Sequence, residues 1–249
     1  MKLAWRRYLA IGVAVYVLVL VAGFPASYVR GTLQDALPGL QLGGVTGTVF
    51  SGYASSAVYQ GLDLGEVDWH FRPLALLLLR LEYHLAFSHP DNSGHVNIGI
   101  RPGGDVQGRA LEMQLAPDRL VNRFSPVAIQ SRGRLDLVLD SFEVDGEQLR
   151  AVTGQAAWKD AAIESPVVLT LGEIGLTLQS RADTLVAAVT RGGELGLSGE
   201  ILLQPGNRYA LDLVLRPGAG INSDTRDLLA SAMQADASGG FLLKTSGRY

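Results

Sequence analysis

Residues 65–71 read Gly65-Glu66-Val67-Asp68-Trp69-His70-Phe71, and residues 81–88 read Leu81-Glu82-Tyr83-His84-Leu85-Ala86-Phe87-Ser88. In both segments apolar side chains alternate with polar or small ones. This period of two is typical of a β-strand that buries one face and exposes the other to water. Both segments therefore predict one-sided strands, as in an antiparallel sheet.

The same alternation continues through most of the chain after about Val45. Glycine-rich turns separate runs whose apolar positions include Ile98, Met113, Leu137, Leu178, Leu195, Leu197, Ile201, Leu203 and residues 209–215. Short runs at regular spacing indicate an antiparallel meander. We therefore predict a mainly β protein with one long curved antiparallel sheet, either an open partial barrel or a trough.

Few segments have helical patterns. Residues 32–37, 117–124 and 223–234 predict short helices, the last with a polar N-cap. Residues 74–79 are all apolar and follow Pro73, so they fit either a buried helical turn or a strand with two buried faces. We favour a turn that leads into the next strand.

The N-terminus has the pattern of a membrane anchor. An uncharged segment, residues 8–27, follows Lys2, Arg6 and Arg7. As a helix, residues 8–26 extend roughly 28 Å, close to the ~30 Å hydrocarbon core of a bilayer. Because the basic residues come first, the positive-inside rule places the N-terminus in the cytoplasm. A cleaved signal peptide is the alternative, although Phe24-Pro25-Ala26 is not an A-x-A cleavage site.

These patterns predict a cytoplasmic N-terminus at residues 1–7 and a transmembrane helix in a bacterial inner membrane at residues 8–27. A connecting segment at residues 28–44 and a periplasmic β-rich domain at residues 45–249 follow. Both interpretations of the N-terminus place that domain outside the cytoplasm.

A weak internal repeat suggests two similar β-modules, residues 45–126 and 127–249. Trp69 precedes Gly-Gly-Asp at residues 103–105 by the same offset at which Trp158 precedes Gly-Gly-Glu at residues 192–194. A shared offset is compatible with two modules side by side in one sheet. Coincidence in a glycine-rich chain is the alternative.

Composition excludes several classes of function. The net charge of −3 and the small number of lysines leave no basic stripe for a phosphate backbone, so nucleic acid is excluded as a partner. The chain has no cysteine, which removes disulfides, thiolate nucleophiles and zinc–thiolate sites.

Candidate catalytic and metal-binding groups are sparse. His89, Asp91 and His95 form the best metal-ligand cluster, but they lie in a turn sequence typical of a solvated hairpin loop. Residues 47–52 lack the G-x-S-x-G nucleophile elbow, and the glycine-rich residues 44–48 lead into a strand rather than a phosphate-binding helix. We therefore predict a non-enzymatic protein without metal or cofactor.

An ordered set of motifs resembles the type II (general) secretion pathway protein N family. The set comprises Phe24-Pro25-Ala26, Leu37-Pro38, residues 44–54, residues 67–73 with the leucine-rich stretch after them, Trp158, and residues 193–199. Phe50 stands where the family block G-T-V-W-S-G-x-A has tryptophan, so one aromatic residue replaces another. The resemblance covers essentially the whole chain.

The resemblance implies an accessory inner-membrane component of the type II secretion system, with a periplasmic sheet, no catalytic residues and other secretion subunits as partners. The motif residues that it singles out are Gly47, Thr48, Phe50, Ser51, Gly52, Ala54, Trp69, Pro73 and Trp158. Their residue types indicate a structural role, because glycines allow tight turns, large aromatic side chains fill a core, and proline ends a strand.

Two function hypotheses follow. In the first, the sheet is a scaffold that binds other secretion subunits through its edges or faces. In the second, an apolar face of the sheet forms a groove that carries lipid or another hydrophobe, as in the AsmA-like bridge proteins that the strand pattern also resembles. A periplasmic hydrolase with clustered carboxylates is a distant third hypothesis.

Overall fold

The computed structural model describes residues 12–13, 16, 19–20, 22–100, 105–118, 130–145, 148–165, 168–181, 183–206, 208–218, 226, 230, 234–235 and 240–248. Within these residues the chain forms a 15-stranded sheet. Every strand pair is antiparallel. The prediction of a mainly β protein with one large antiparallel sheet is confirmed.

The helix α1 (Ala26–Ala36) leads directly into the sheet, and a 3₁₀ helix (Pro73–Leu78) interrupts the sheet. The strands are β1 (Leu40–Gly43), β2 (Thr46–Gly47), β3 (Ser51–Tyr59), β4 (Leu62–Phe71), β5 (Leu81–His89), β6 (Asn92–Ile100), β7 (Val106–Leu115), β8 (Gln130–Asp145), β9 (Gln148–Ser165), β10 (Leu169–Arg181), β11 (Thr184–Gly192), β12 (Leu197–Gln204), β13 (Arg208–Leu215), β14 (Gln234–Ala235) and β15 (Phe241–Arg248).

The sheet is an open meander. From β3 to β13 each strand pairs with the next strand along the chain, while β1 and β14 occupy the two ends of the strand order and β2 pairs with β3 beside β1. Short connections favour this order: Gln60 and Gly61 join β3 to β4 with φ of 50° and 85°. Two consecutive positive φ angles match the turn that follows the natural twist of a hairpin.

The sheet is curved. Strands two positions apart in a flat sheet are separated by about 9.5 Å, yet Cα atoms of β4 and β6, and of β9 and β11, lie within 8 Å of each other. Ala110 and Asp160 have positive φ, 47° and 50°, where the register between neighbouring strands shifts. Such bulges increase local twist, so they contribute to the curvature.

One face of the sheet carries the core as two clusters. The first is formed by Val96, Leu111, Leu139 and Val152 from β6 to β9, and the second by Ala161, Leu171, Leu195, Leu215 and Phe241 from β9 to β15. No large side chain among the described residues has less than 2% of its surface exposed. A single curved layer therefore leaves its apolar face partly open.

Three local elements differ in part from their predictions. The turn at residues 74–79 is confirmed as a 3₁₀ helix, but its leucines are exposed rather than buried. The strand prediction at Leu195 is wrong: Leu195 lies in the turn between β11 and β12, where its side chain is buried in the second cluster. The helix predicted at residues 32–37 is the end of α1, which begins at Ala26.

Other predictions fall largely outside the described residues. Pro117 and Asp118 are helical, as are Arg226 and Ala230, whereas Gln234 belongs to β14 rather than to the predicted helix. The described residues between 12 and 22 are helical, and Gly23 and Phe24 are not. None of the helices in the described ranges is both long and apolar enough to cross a membrane. The transmembrane helix at residues 8–27 stays a prediction.

Candidate functional site

The motif residues before β3 form a tight turn. The Thr48 amide donates to the Ser51 carbonyl oxygen at 2.8 Å, and the Ser51 amide donates to Thr48 Oγ1 at 3.1 Å. Gly47 precedes this turn with φ of 86°, and a Cβ atom there would lie 2.6 Å from the Ser51 oxygen. Glycine at position 47 is required on both counts.

The N-terminal segment joins the sheet at this turn. The Val49 amide donates to the Phe24 carbonyl oxygen at 3.0 Å, and Pro25 forms an isolated antiparallel bridge with Thr48. Ala26, the first residue of α1, is buried. Residues 24–26, 47–54 and 69–73 therefore form one connected unit, here called the motif corner.

Trp69 closes the motif corner from β4. It lies opposite Gly52 in the register, and a Cβ atom on Gly52 would be 2.2 Å from Trp69 Cζ2. Its Nε1 donates to the Thr48 carbonyl oxygen at 3.1 Å. Ala54, two residues further along the same face of β3, is fully buried. The corner thus depends on small residues beneath one large indole.

An aromatic row continues the motif corner along the apolar face. The ring of Phe50 lies edge-on to that of Phe71, with ring centroids 5.2 Å apart, and the ring centroids of Phe71 and Tyr83 are 5.3 Å apart. The edge-to-face arrangement of Phe50 and Phe71 is a favoured one for aromatic pairs, and the rings of Phe71 and Tyr83 are tilted at 54°. Burial raises the pKa of the Tyr83 phenol, because the phenolate would lose water.

Pro73 begins the 3₁₀ helix that leaves the corner. Arg72, just before it, donates from its amide to the Glu82 carbonyl oxygen at 2.8 Å and pairs through Nη1 with Glu82 Oε1 at 2.8 Å. Leu79 ends the helix in the left-handed conformation, with φ of 54°. The ends of β4 and β5 therefore hold the base of this helix together.

Trp158 lies outside the motif corner. It sits in β9, packs against the second core cluster, and donates from Nε1 to the Arg132 carbonyl oxygen at 3.0 Å. Both motif tryptophans thus bond a main-chain oxygen, but at separate places in the sheet.

The geometry of the two tryptophans also tests the internal repeat. Trp69 pairs with Leu85, and Trp158 pairs with Leu135. The cross-strand pairs between Leu85 and Leu135 connect residues on the same face, so both indoles lie on one face of the sheet. Their strands, β4 and β9, are five positions apart in an antiparallel order, so they run in opposite directions. A rotation that superposes β4 on β9 would have to reverse the strand direction, keep the tryptophan on the same face and keep the following strands on the same side. No single rotation does all three. The shared offset thus relates two strands that run in opposite directions. The two similar modules, residues 45–126 and 127–249, stay a prediction.

His89, Asp91 and His95, the best candidates for metal ligands in the sequence, do not come together. His89 Nε2 lies 3.7 Å from Asp63 Oδ2, and His89 Nδ1 lies 4.0 Å from Asp91 Oδ2. His95 pairs with Ala86, an odd number of residues from His89, so alternation places the two histidines on opposite faces. His95 instead lies beside His84, with ring centroids 5.9 Å apart. Within the described ranges, no three histidine or acidic side chains come together as a metal site.

The polar face near these histidines contains a small recess of about 10 Å³, just enough for one water molecule. It is lined by Arg80, Glu82, Asn97, Gly99, Gln107 and Arg109.

Tyr53, in β3, also lies on the polar face of the sheet. The pKa of Tyr53 is raised, first by its hydrogen bond to Glu66 and then by burial and by the negative charge of Glu66. Tyr53 and Glu66 do not line the recess.

The leucines after Pro73 are exposed, whereas the sequence predicted a buried turn. Leu74, Leu77, Leu78 and Leu79 each expose at least 70% of their surface. The sequence signal for this exposure is a short apolar run between Arg72 and Arg80, because so short a turn cannot bury all of its own leucines.

The fold and the site define the chain as a β protein built on one long, open, antiparallel sheet, in which the motif residues form a packed corner. The chain belongs to the family described as Type II secretion system (T2SS), protein N, whose model matches residues 38–244. The resemblance found in the motifs is thus confirmed.

Similar proteins agree with this assignment. The chain is 29% identical to the type II secretion system protein N of Aeromonas hydrophila over 96% of both chains. It is 26% identical to that of Vibrio cholerae over 84% of this chain and 85% of the relative, and 27% identical to that of Klebsiella pneumoniae over 82% and 80%. No solved structure shows a significant match. These relatives support a role as a component of the type II secretion system.

Proposed function

We propose that the chain is a non-enzymatic accessory component of the type II secretion system, held in the inner membrane by residues 8–27. In this proposal the N-terminus is cytoplasmic and residues 45–249 form a periplasmic scaffold that binds other secretion subunits. Support comes from the family match over residues 38–244 and from the basic residues that precede the apolar segment.

The observation that carries the scaffold function is the outer edge of β15. All eight residues of β15 pair with β13, but on the other side β14 pairs only with Phe241 and Leu242. From Leu243 to Arg248 the outer side of β15 has no strand partner among the described residues. An extended segment of a partner can add there as a further strand, with main-chain hydrogen bonds supplying affinity.

The sequence of this edge favours binding of a specific partner strand over self-association. Residues 244–246 are Lys, Thr and Ser, and Lys244 pairs with Asp212 at 3.0 Å. Polar and lysine-bearing edges discourage uncontrolled edge-to-edge aggregation. A partner strand that complements this edge is therefore favoured over a second copy.

Site-specific photo-crosslinking in a secreting strain tests the scaffold. A photoreactive residue at Thr245 is expected to form adducts with secretion subunits, whereas one at Gln114, exposed in the middle of the sheet, is not. Adducts from Gln114 alone, or none from any position between 243 and 248, would contradict binding at this edge.

Fractionation tests the location separately. The chain is expected to stay with inner membranes after alkaline extraction, to retain its N-terminal residues, and to become protease-sensitive in spheroplasts. Release of the chain by alkaline extraction, or a mature N-terminus after residue 22, would overturn the anchor while leaving the scaffold test intact.

A hydrophobe-binding groove is the second candidate function, supported by the partly open apolar face. Leu178 packs at the border of the first core cluster and remains half-buried, while its neighbour Thr177 points to the opposite face. A photoreactive residue at position 178 is expected to capture phospholipid in this function, and the same residue at 177 serves as the matched control. Equal capture at both positions would contradict a groove.

A further inference from the structure

The 3₁₀ helix after Pro73 presents an unusual density of exposed apolar surface. Leu74 is 78% exposed, Leu77 82%, Leu78 70% and Leu79 79%, with Leu76 at 47%. Contiguous apolar patches on a protein surface mark places where a membrane, ligand or partner binds. Residues 73–79 are here called the leucine loop.

The leucine loop is held as a defined projection. The Ala75 amide donates to the Arg72 oxygen at 3.1 Å, the Leu79 amide to the Leu76 oxygen at 2.9 Å, and the Arg80 amide to the Ala75 oxygen at 3.2 Å. The Arg72–Glu82 pair closes its base. These three main-chain hydrogen bonds fix the shape of the projection, and each amide that is bonded within it lowers the cost of entering an apolar phase.

The leucine loop lies at the same end of the sheet as the N-terminal apolar segment. The Phe24 oxygen accepts from the Val49 amide, and the oxygen of the adjacent Phe50 accepts from the Phe71 amide at 2.6 Å. Phe24 and Phe71 are therefore separated by about two strand spacings, roughly 10 Å. The leucine loop starts only two residues after Phe71.

We propose that the leucine loop inserts into the periplasmic leaflet of the membrane that residues 8–27 span. The inference rests on the proposed function, because it requires the anchor. Arg72 and Arg80 flank the loop, and their long side chains can lie along its apolar surface while their guanidinium groups reach lipid phosphates. The loop and the anchor then form two attachment points that fix the tilt of the sheet against the bilayer.

The absence of cysteine allows each site to be labelled alone. Full-length variants Leu77→Cys and Asp91→Cys, each carrying an environment-sensitive fluorophore, are reconstituted into vesicles of phosphatidylethanolamine and phosphatidylglycerol. Asp91 is exposed in the β5–β6 turn at the opposite end of the strands and is the matched control. The label at 77 is expected to show blue-shifted emission and severalfold stronger quenching by lipids with spin labels on their acyl chains.

A third variant, Val13→Cys, reports on the anchor independently. Quenching at 13 without quenching at 77 would refute the leucine-loop insertion and leave the anchor standing. Quenching at neither position would count against the membrane location itself. Blue-shifted emission at 77 without lipid quenching would show that protein rather than lipid covers the loop and would also overturn the inference.

Discussion

Trp69 Nε1 donates a hydrogen bond to the carbonyl oxygen of Thr48, 3.1 Å away and 21 residues earlier in the chain. Thr48 also bridges Pro25, and the neighbouring Val49 bonds Phe24. One indole on β4 therefore supports the turn on which the N-terminal segment rests. The motif corner couples the orientation of that segment to the first hairpin of the sheet.

Replacing Trp69 by phenylalanine is expected to keep most of the apolar contact but to lose this hydrogen bond. The free energy of unfolding should fall by about 1 kcal/mol, the typical net value of such a bond, plus a smaller cost for lost volume. Urea unfolding of the full-length chain in detergent measures the change. Trp158→Phe loses an equivalent bond, 3.0 Å long, and is the matched control.

The two variants separate stability from the role of the motif corner. Both should be destabilised to a similar extent, but only Trp69→Phe should increase protease cleavage between residues 24 and 50. Equal cleavage in both variants would show that the Trp69 bond does not specifically support the N-terminal junction.

Gly52→Ala is expected to destabilise the sheet by about 1–3 kcal/mol, because the new methyl group overpacks a filled site. Its Cβ atom would lie 2.2 Å from Trp69 Cζ2 and 2.6 Å from the Thr46 oxygen. Gly99→Ala is the control: the nearest atom to its Cβ is 3.8 Å away. Thermal unfolding should separate the two variants clearly, and equal loss would refute the packing argument.

Tyr83 gives the protein a specific sensitivity to alkali. Burial raises the pKa of its phenol above the ordinary 10.0, so the folded state holds the proton more tightly than the unfolded state. Its contribution to stability is complete below the unfolded pKa and is lost as pH rises through the folded pKa. Tyr83→Phe should therefore flatten the fall in stability above pH 10.0. Parallel stability curves for variant and wild type above that pH would contradict this assignment.

The positions of most strands followed from the sequence because alternation is a local property. Val67, Trp69 and Phe71 repeat at the strand period, and the same face is apolar in the structure. Bulges at Ala110 and Asp160 did not follow, since a positive φ there depends on neighbouring strands. Leu195 fits strand alternation but is buried from a turn, so burial alone did not reveal its backbone conformation.

The candidate site was only partly predictable. Family motifs pointed to residues 47–54 and 69–73, but not to their contact with Phe24, which is set by a main-chain bond between distant segments. The exposure of Leu77 and its neighbours does not follow from the sequence, because an apolar residue type does not by itself determine burial. Long-range placement, rather than residue type, decided both points.

Two ion pairs with similar distances offer a final test of how burial changes electrostatic coupling. Lys159 Nζ lies 2.7 Å from Asp136 Oδ2, and Lys244 Nζ lies 3.0 Å from Asp212 Oδ2. The Asp136 side chain is only 16% exposed, whereas that of Asp212 is 55% exposed. Water screens the second pair more strongly.

Double-mutant cycles with alanine at each pair should therefore give unequal coupling energies. We expect about 1 kcal/mol for Asp136–Lys159 and less than about 0.5 kcal/mol for Asp212–Lys244, with stronger salt dependence for the exposed pair. Arg134 Nε also lies 3.2 Å from Asp136 Oδ1, but that oxygen has no hydrogen bond in the described structure. Removing Asp136 alone thus relieves an incompletely satisfied carboxylate, and Lys159→Ala should cost more stability than Asp136→Ala. The reverse order in urea unfolding would show that Arg134 already compensates the charge of Asp136.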